Sequence, residues 1–136
     1  MLSAPEDIKR PLSPHLQIYK PQITSVLSIL HRGTGIVLFG GSILWCFWFV
    51  SLTAGIDSYY QLQEFLLSPL GLLILLGWSF SFFYHLCNGI RHLLWDIGIG
   101  YEIATVRKTG WTVIFSSILL TGITWAMGFM KWKGLL

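Results

Sequence analysis

Residues 65–90 read FLLSPLGLLILLGWSFSFFYHLCNGI, an unbroken run with no Asp, Glu, Lys or Arg. Roughly 20 apolar residues cross the hydrocarbon core of a bilayer as an α-helix, so this run is long enough to span. Strands of a transmembrane barrel are about half that length and alternate in polarity; nothing here alternates. Ser68-Pro69 reads as an N-cap followed by a first-turn proline. That places a span over about 68–96, ending near Asp96. One residue breaks its apolar character. His85 lies well before Asp96, about 16 Å inside that end of the helix at ~1.5 Å per residue.

Two further charge-free windows flank this one, over 33–56 and over 109–130, each also long enough to span. Pro21 is followed by Thr24 and Ser25, both good N-caps, which predicts a first span over about 24–53. Thr109-Gly110-Trp111 opens a third over about 110–132, and the stretch 55–64 reads as a loop. The whole chain of 136 residues is 54% hydrophobic and 11% charged, with mean hydropathy +0.65. Soluble domains carry about 25% charged residues, so ordinary soluble folds and disorder are both excluded. The expected fold is an all-α membrane protein. A polar arm covers 1–23, and a three-helix transmembrane anchor domain covers 24–136. The net charge of +3 is scattered without a basic run, so nucleic acid is not an expected partner. Cys46 and Cys87 fit no zinc or redox spacing and read as small buried apolar residues.

Basic residues set the expected orientation. Lys9, Arg10, Lys20 and Arg32 precede or open the first span, and Arg107 and Lys108 lie between the second and third. The segment between the first two spans carries only Asp57 and Glu64. By the positive-inside rule the N-terminus faces the cytoplasm, or the matrix of a mitochondrion. Lys131 and Lys133 then face outward, a mild violation. The segment Met1–Lys20 holds no apolar core of a signal peptide, and its acids do not suit a transit peptide. It reads as an extended arm lying on the membrane surface or on a partner.

An intramembrane histidine marks a functional site by default. Gly77, Ser81, His85 and Gly89 follow at i, i+4 spacing and share one helix face. Small residues beside the imidazole leave room for a flat macrocycle whose iron His85 would ligate. Small-residue helix packing gives the same stripe, and a histidine bonded to a neighbouring helix is the plainer alternative. A second cluster stands at the cytoplasmic border: Ser28, His31 and Arg32 from the first span, with Arg91, His92 and Asp96 from the second. Antiparallel packing puts them at a similar depth, as a collar for acidic groups or as anchors that snorkel to lipid phosphates. Ser25, Ser28 and Arg32 also share a face at i, i+3 and i+7. A hydroxyl and a guanidinium so placed suit the carbonyl oxygens of a quinone.

Two longer motifs carry a family resemblance. RPLSPHLQIY over 10–19 followed by SILHRGTG over 28–35, and HLCNGIRHLLWD over 85–96, resemble the cytochrome b membrane subunits of succinate dehydrogenase. The resemblance covers about residues 9–130. It implies half of a heterodimeric haem-binding helix bundle, anchored with a second three-helix subunit beneath an iron–sulfur subunit and a flavoprotein subunit. It implies haem b shared between the two anchors, with His85 as one axial ligand and the second from the partner. It implies propionate-side contacts at His31, Arg32 and His92, and ubiquinone contacts at Ser28 and Arg32; Arg91 is a candidate for the same propionates from its place in the border cluster alone. His15 becomes an interface residue. The place of His31 at the border and of His85 well inside agrees with a second ligand from outside the chain. Expected surroundings are a bacterial or mitochondrial inner membrane and its lipids. A cofactor-free scaffold and a fumarate reductase anchor remain the alternatives.

Overall fold

The structure, a computed structural model, describes residues 20–135. The arm motif at 10–19 and His15 lie outside these residues. Among the described residues four helices follow in order: α1 (Ile23–Ala54), α2 (Ile56–Leu67), α3 (Pro69–Asp96) and α4 (Ile103–Trp132). Three of them, α1, α3 and α4, are long and apolar enough to cross a membrane. α3 packs against both α1 and α4, and α1 also touches α4.

The helix ends follow local chemistry. Ser68 caps α3: its Oγ accepts from Gly71 N at 3.2 Å, with Pro69 in the first turn. α1 starts earlier than Thr24 or Ser25 could cap. Gln22 is its N-cap, in extended conformation and without a side-chain bond, and Thr24 and Ser25 sit inside the first turn. The stretch after Gly55, expected as a loop, is the helix α2. It holds Asp57 in its first turn, where an acid suits the helix dipole, and it packs on α1 and α3. α4 begins at Ile103, roughly two turns before the expected opening. Arg107 and Lys108 are good helix formers and belong to it. Thr109, expected near the opening, instead donates its hydroxyl to Thr105 O at 2.9 Å within the helix. The connection from α3 to α4 is therefore short, 97–102, and turns on Gly98 and Gly100 at φ +83° and +87°. There Trp95 Nε1 donates to Gly100 O at 3.3 Å, and the Tyr101 hydroxyl donates to Trp95 O at 2.7 Å.

Burial is inverted relative to a soluble protein. The buried apolar side chains are Leu27, Tyr84 and Val113, whereas Thr34, Ser51, Ser81, Asn88, Arg91, Ser117 and Thr121 are buried and polar. Large apolar residues such as Phe39, Phe47, Leu73 and Phe115 point outward, and so does Cys46, which was expected inside. Lipid tails are as apolar as leucine, so close helix packing favours small and polar residues instead. Gly110 of α4 shows this: a Cβ there would lie 2.9 Å from Leu27 Cδ1 and 3.3 Å from Ile23 Cδ1 of α1.

Candidate functional site

Two stripes of α3 run one residue out of phase. His85, Gly89 and His92 occupy i, i+4 and i+7, and Tyr84, Asn88 and Arg91 repeat the same spacing one position earlier. One residue is ~100° around a helix, so the two stripes meet different neighbours.

The first stripe faces α1. The His85 ring stacks on the His31 ring, centroids 3.9 Å apart at 12°, and His31 lies 5.1 Å from His92. The three imidazoles form a row with His31 in the middle. His31 and His85 are therefore neighbours in depth, which corrects the expected separation of border and interior. The charge at Arg32 does not mark the start of α1, which begins at Ile23. Its first two turns precede Arg32 and carry His31 inward, about 12 Å from the helix start at Ile23. Two rings stacked face to face do not reach one iron from opposite sides, so this arrangement does not make His31 and His85 a pair of axial ligands within the chain.

His85 is held through one nitrogen. Nδ1 lies 3.1 Å from His31 O and 3.3 Å from Thr34 Oγ1. Nε2 has no partner among the described residues and reaches the surface of the chain. Space beside the ring comes from glycines. A Cβ on Gly77 would meet nothing within 4 Å, and one on Gly89 only His31 Cε1 at 3.9 Å. Gly35 is tighter, with a Cβ there 3.3 Å from His85 Cε1. One imidazole nitrogen bonded to a backbone carbonyl and the other left open is the usual dress of a metal-ligating histidine. These residues fit one axial position of a haem. Among the described residues no three His, Cys, Asp or Glu side chains are grouped to share an ion. The enclosed and partnerless Nδ1 of His31 is a further unspent polar group in this row.

The second stripe faces α1 and α4. The Tyr84 hydroxyl donates to Leu27 O at 2.9 Å. Arg91 is 5% exposed and spends its donors on α4 and on its own helix. Nε donates to Thr109 Oγ1 at 3.1 Å, Nη2 to Val106 O at 3.0 Å and Nη1 to Asn88 Oδ1 at 3.3 Å. Its guanidinium also stands 4.0 Å over the Trp95 ring. Arg91 thus does not join Arg32, His31 and His92 in a collar, because the one-residue phase difference turns it to α4. Asp96 is exposed.

Ser28 and Arg32 do share a face of α1. With Thr24, Ser25 and Ile29 they line an open groove of about 380 Å³. Arg32 Nε reaches Ser28 O at 3.4 Å, and its remaining guanidinium donors have no partner among the described residues. Among the described residues every lining residue belongs to one helix, and the groove is open. Sequence reasoning passed over Thr34 and Gly35, which touch His85. Their signals were position, three and four residues after His31 on the same helix, and a place at the end of the 28–35 motif.

Comparison with known proteins agrees over most of the chain. Residues 6–124 match the model of the succinate dehydrogenase/fumarate reductase transmembrane subunit family. The chain is 51% identical to the succinate dehydrogenase cytochrome b556 subunit of Rickettsia bellii (strain RML369-C) over 117 residues, 86% of this chain and 91% of that one. It is 36% identical to the protein of the same name from Paracoccus denitrificans over 121 residues, 89% of this chain and 93% of that one. It is 40% identical to the succinate dehydrogenase cytochrome b560 subunit of Reclinomonas americana over 131 residues, 88% of this chain and 86% of that one.

Proposed function

The chain belongs to the succinate dehydrogenase/fumarate reductase transmembrane subunit family, and we propose that it is the cytochrome b anchor of a succinate:quinone oxidoreductase. In this reading it holds an iron–sulfur subunit and a flavoprotein subunit at an inner membrane. It shares haem b with a second three-helix anchor and forms one wall of a ubiquinone site. The N-terminal side carries the soluble subunits and faces the cytoplasm or matrix, as the basic residues argue.

One observation carries the haem part: His85 is tied through Nδ1 and open at Nε2, inside a span, among glycines. The relatives' name, cytochrome b, is that of haem proteins. When bound, the haem supplies a one-electron carrier between the two anchors. The residues of this chain hold and tune it. His85 offers the axial nitrogen. His31 stacks on that imidazole and excludes water from one face. His92 and Arg32 supply donors for acidic groups on the same side of α3. Arg91 keeps α3 fixed against α4, so that the His85 stripe is presented at a constant angle.

The quinone part rests on the α1 groove. Arg32 brings a fixed positive charge and Ser28 a hydroxyl to the polar end of an apolar helix. A quinone head group has two carbonyl oxygens to place there, and its tail belongs in the lipid.

Haem spectroscopy of the assembled complex tests this reading. In His85→Leu the low-spin bis-imidazole spectrum is expected to disappear or change to that of a five-coordinate haem. In His31→Leu the spectrum is expected to stay low-spin. An unaltered spectrum in His85→Leu would sink the ligand assignment. A wild-type complex with no Soret absorbance would leave a cofactor-free scaffold as the function.

A further inference from the structure

We infer that Thr34 and Gly35 are positioning residues for His85, setting the tautomer and the depth of the imidazole that this chain offers to iron. Both roles presuppose His85 as the axial ligand proposed above.

The tautomer follows from counting protons in a triangle of three polar atoms. Thr34 Oγ1 lies 2.9 Å from His31 O and donates to it. A threonine hydroxyl has a single proton, and the carbonyl accepts it. Toward His85 Nδ1, at 3.3 Å, the hydroxyl therefore presents lone pairs. His31 O, at 3.1 Å from the same nitrogen, is an acceptor too. A bare Nδ1 would face two acceptors with no proton between them. Nδ1 therefore carries the hydrogen and shares it between Thr34 Oγ1 and His31 O. In the neutral ring Nε2 is then the bare nitrogen, which is the form an iron ligand needs.

Thr34 is well placed to hold this arrangement. It is 8% exposed, and its hydroxyl is anchored to the helix through His31 O. Hydrogen bonding of the distal N–H raises the basicity of the ligating nitrogen. A more basic ligand favours the ferric state and lowers the potential. Gly35 acts sterically. A Cβ at this position would lie 3.3 Å from His85 Cε1 and 3.7 Å from Nδ1. That is tighter than ordinary van der Waals contact, so with a Cβ there the ring would have to give by a few tenths of an ångström, whereas glycine leaves the imidazole in place against the α1 backbone.

The test uses the haem-loaded complex with all its subunits, read by redox titration and by the g values of the ferric haem. Thr34→Val keeps the shape and removes the hydroxyl. It is expected to raise the haem midpoint potential and shift the g values, while Thr34→Ser keeps both at wild type. Gly35→Ala is expected to shift the g values by displacing the ring. Wild-type potential and g values in Thr34→Val overturn the role of Thr34, and wild-type g values in Gly35→Ala overturn that of Gly35. If Thr34→Val assembles without haem, Thr34→Ser decides: wild-type loading, potential and g values support the hydroxyl's role, and their loss overturns it. His85→Leu separates the two layers. An unchanged low-spin spectrum there overturns the ligand reading itself. A changed spectrum there beside a wild-type Thr34→Val overturns the positioning role of Thr34 alone.

Discussion

Ser28 and Arg32 show how little a single face needs to carry a chemical proposal. Among the described residues their groove is one-sided, lined by α1 alone. What α1 supplies is polarity at a defined place. Losing one preorganised donor from a dry site typically costs roughly 100-fold in rate. Ser28→Ala is therefore expected to assemble normally and to pass electrons from succinate to an artificial acceptor on the soluble subunits at the wild-type rate. Its succinate-to-quinone rate is expected to fall about 100-fold. Wild-type quinone reduction would reduce Ser28 to an ordinary helix-start serine. Ser28 is the cleaner test than Arg32, whose charge borders both the groove and the imidazole row.

Between helices the chain relies on a buried guanidinium. Among the described residues no carboxylate stands within ion-pair distance of Arg91. Its charge is met by Thr109, Asn88, the Val106 carbonyl and the Trp95 ring. A buried cation short of one acceptor retains its full desolvation cost, and a hydrogen bond to a charged group is worth about 1.5–3 kcal/mol. Thr109→Val, which keeps the shape, is expected to lower the stability of the complex in detergent by about that amount. Thr109→Ser is expected to restore it. Thermal unfolding followed by haem release measures both, and equal midpoints for Val and Ser would show that the Arg91–Thr109 bond is not what joins α3 to α4. The α1–α3 contact depends on space rather than charge. A Cβ on Gly41 would collide with the Trp78 indole, and overpacking of this kind costs about 1–3 kcal/mol. Gly41→Ala is thus expected to loosen the same complex and lower its unfolding midpoint, with Gly40→Ala, whose Cβ meets nothing within 4 Å, as the silent comparison.

For the molecule as a whole, the basic residues at the start of α1 and α4 and the acids of α2 define two unlike ends. With the N-terminus inside, α2 lies at the outer surface. Ser58, exposed on α2, is then reachable from outside. In a chain with Cys46 and Cys87 replaced, Ser58→Cys is expected to react with an impermeant thiol reagent added to intact cells. Labelling that appears only after lysis would reverse the orientation. Large apolar residues stay exposed along all three spans, while the enclosed polar residues join the helices to one another.

Hydropathy alone determined three spans, because a bilayer punishes every unpaired charge and leaves the charge-free windows as a readable record. Ser68-Pro69 marked the start of α3 by local chemistry, and the depth of His85 followed from helical rise. The motif at 85–96 and that at 28–35 were enough to suggest the family. Only the tertiary structure decided the rest. Charge boundaries are poor helix boundaries, since Arg107 and Lys108 lie inside α4. Residue type places Arg91 beside His92 in sequence, yet ~100° of helical rotation sends one to α4 and the other to His31. Thr34 and Gly35 carry no chemical label of their own. Their part depends on the distance between two helix axes, and that distance is set by packing across the whole interface, which no window of sequence contains.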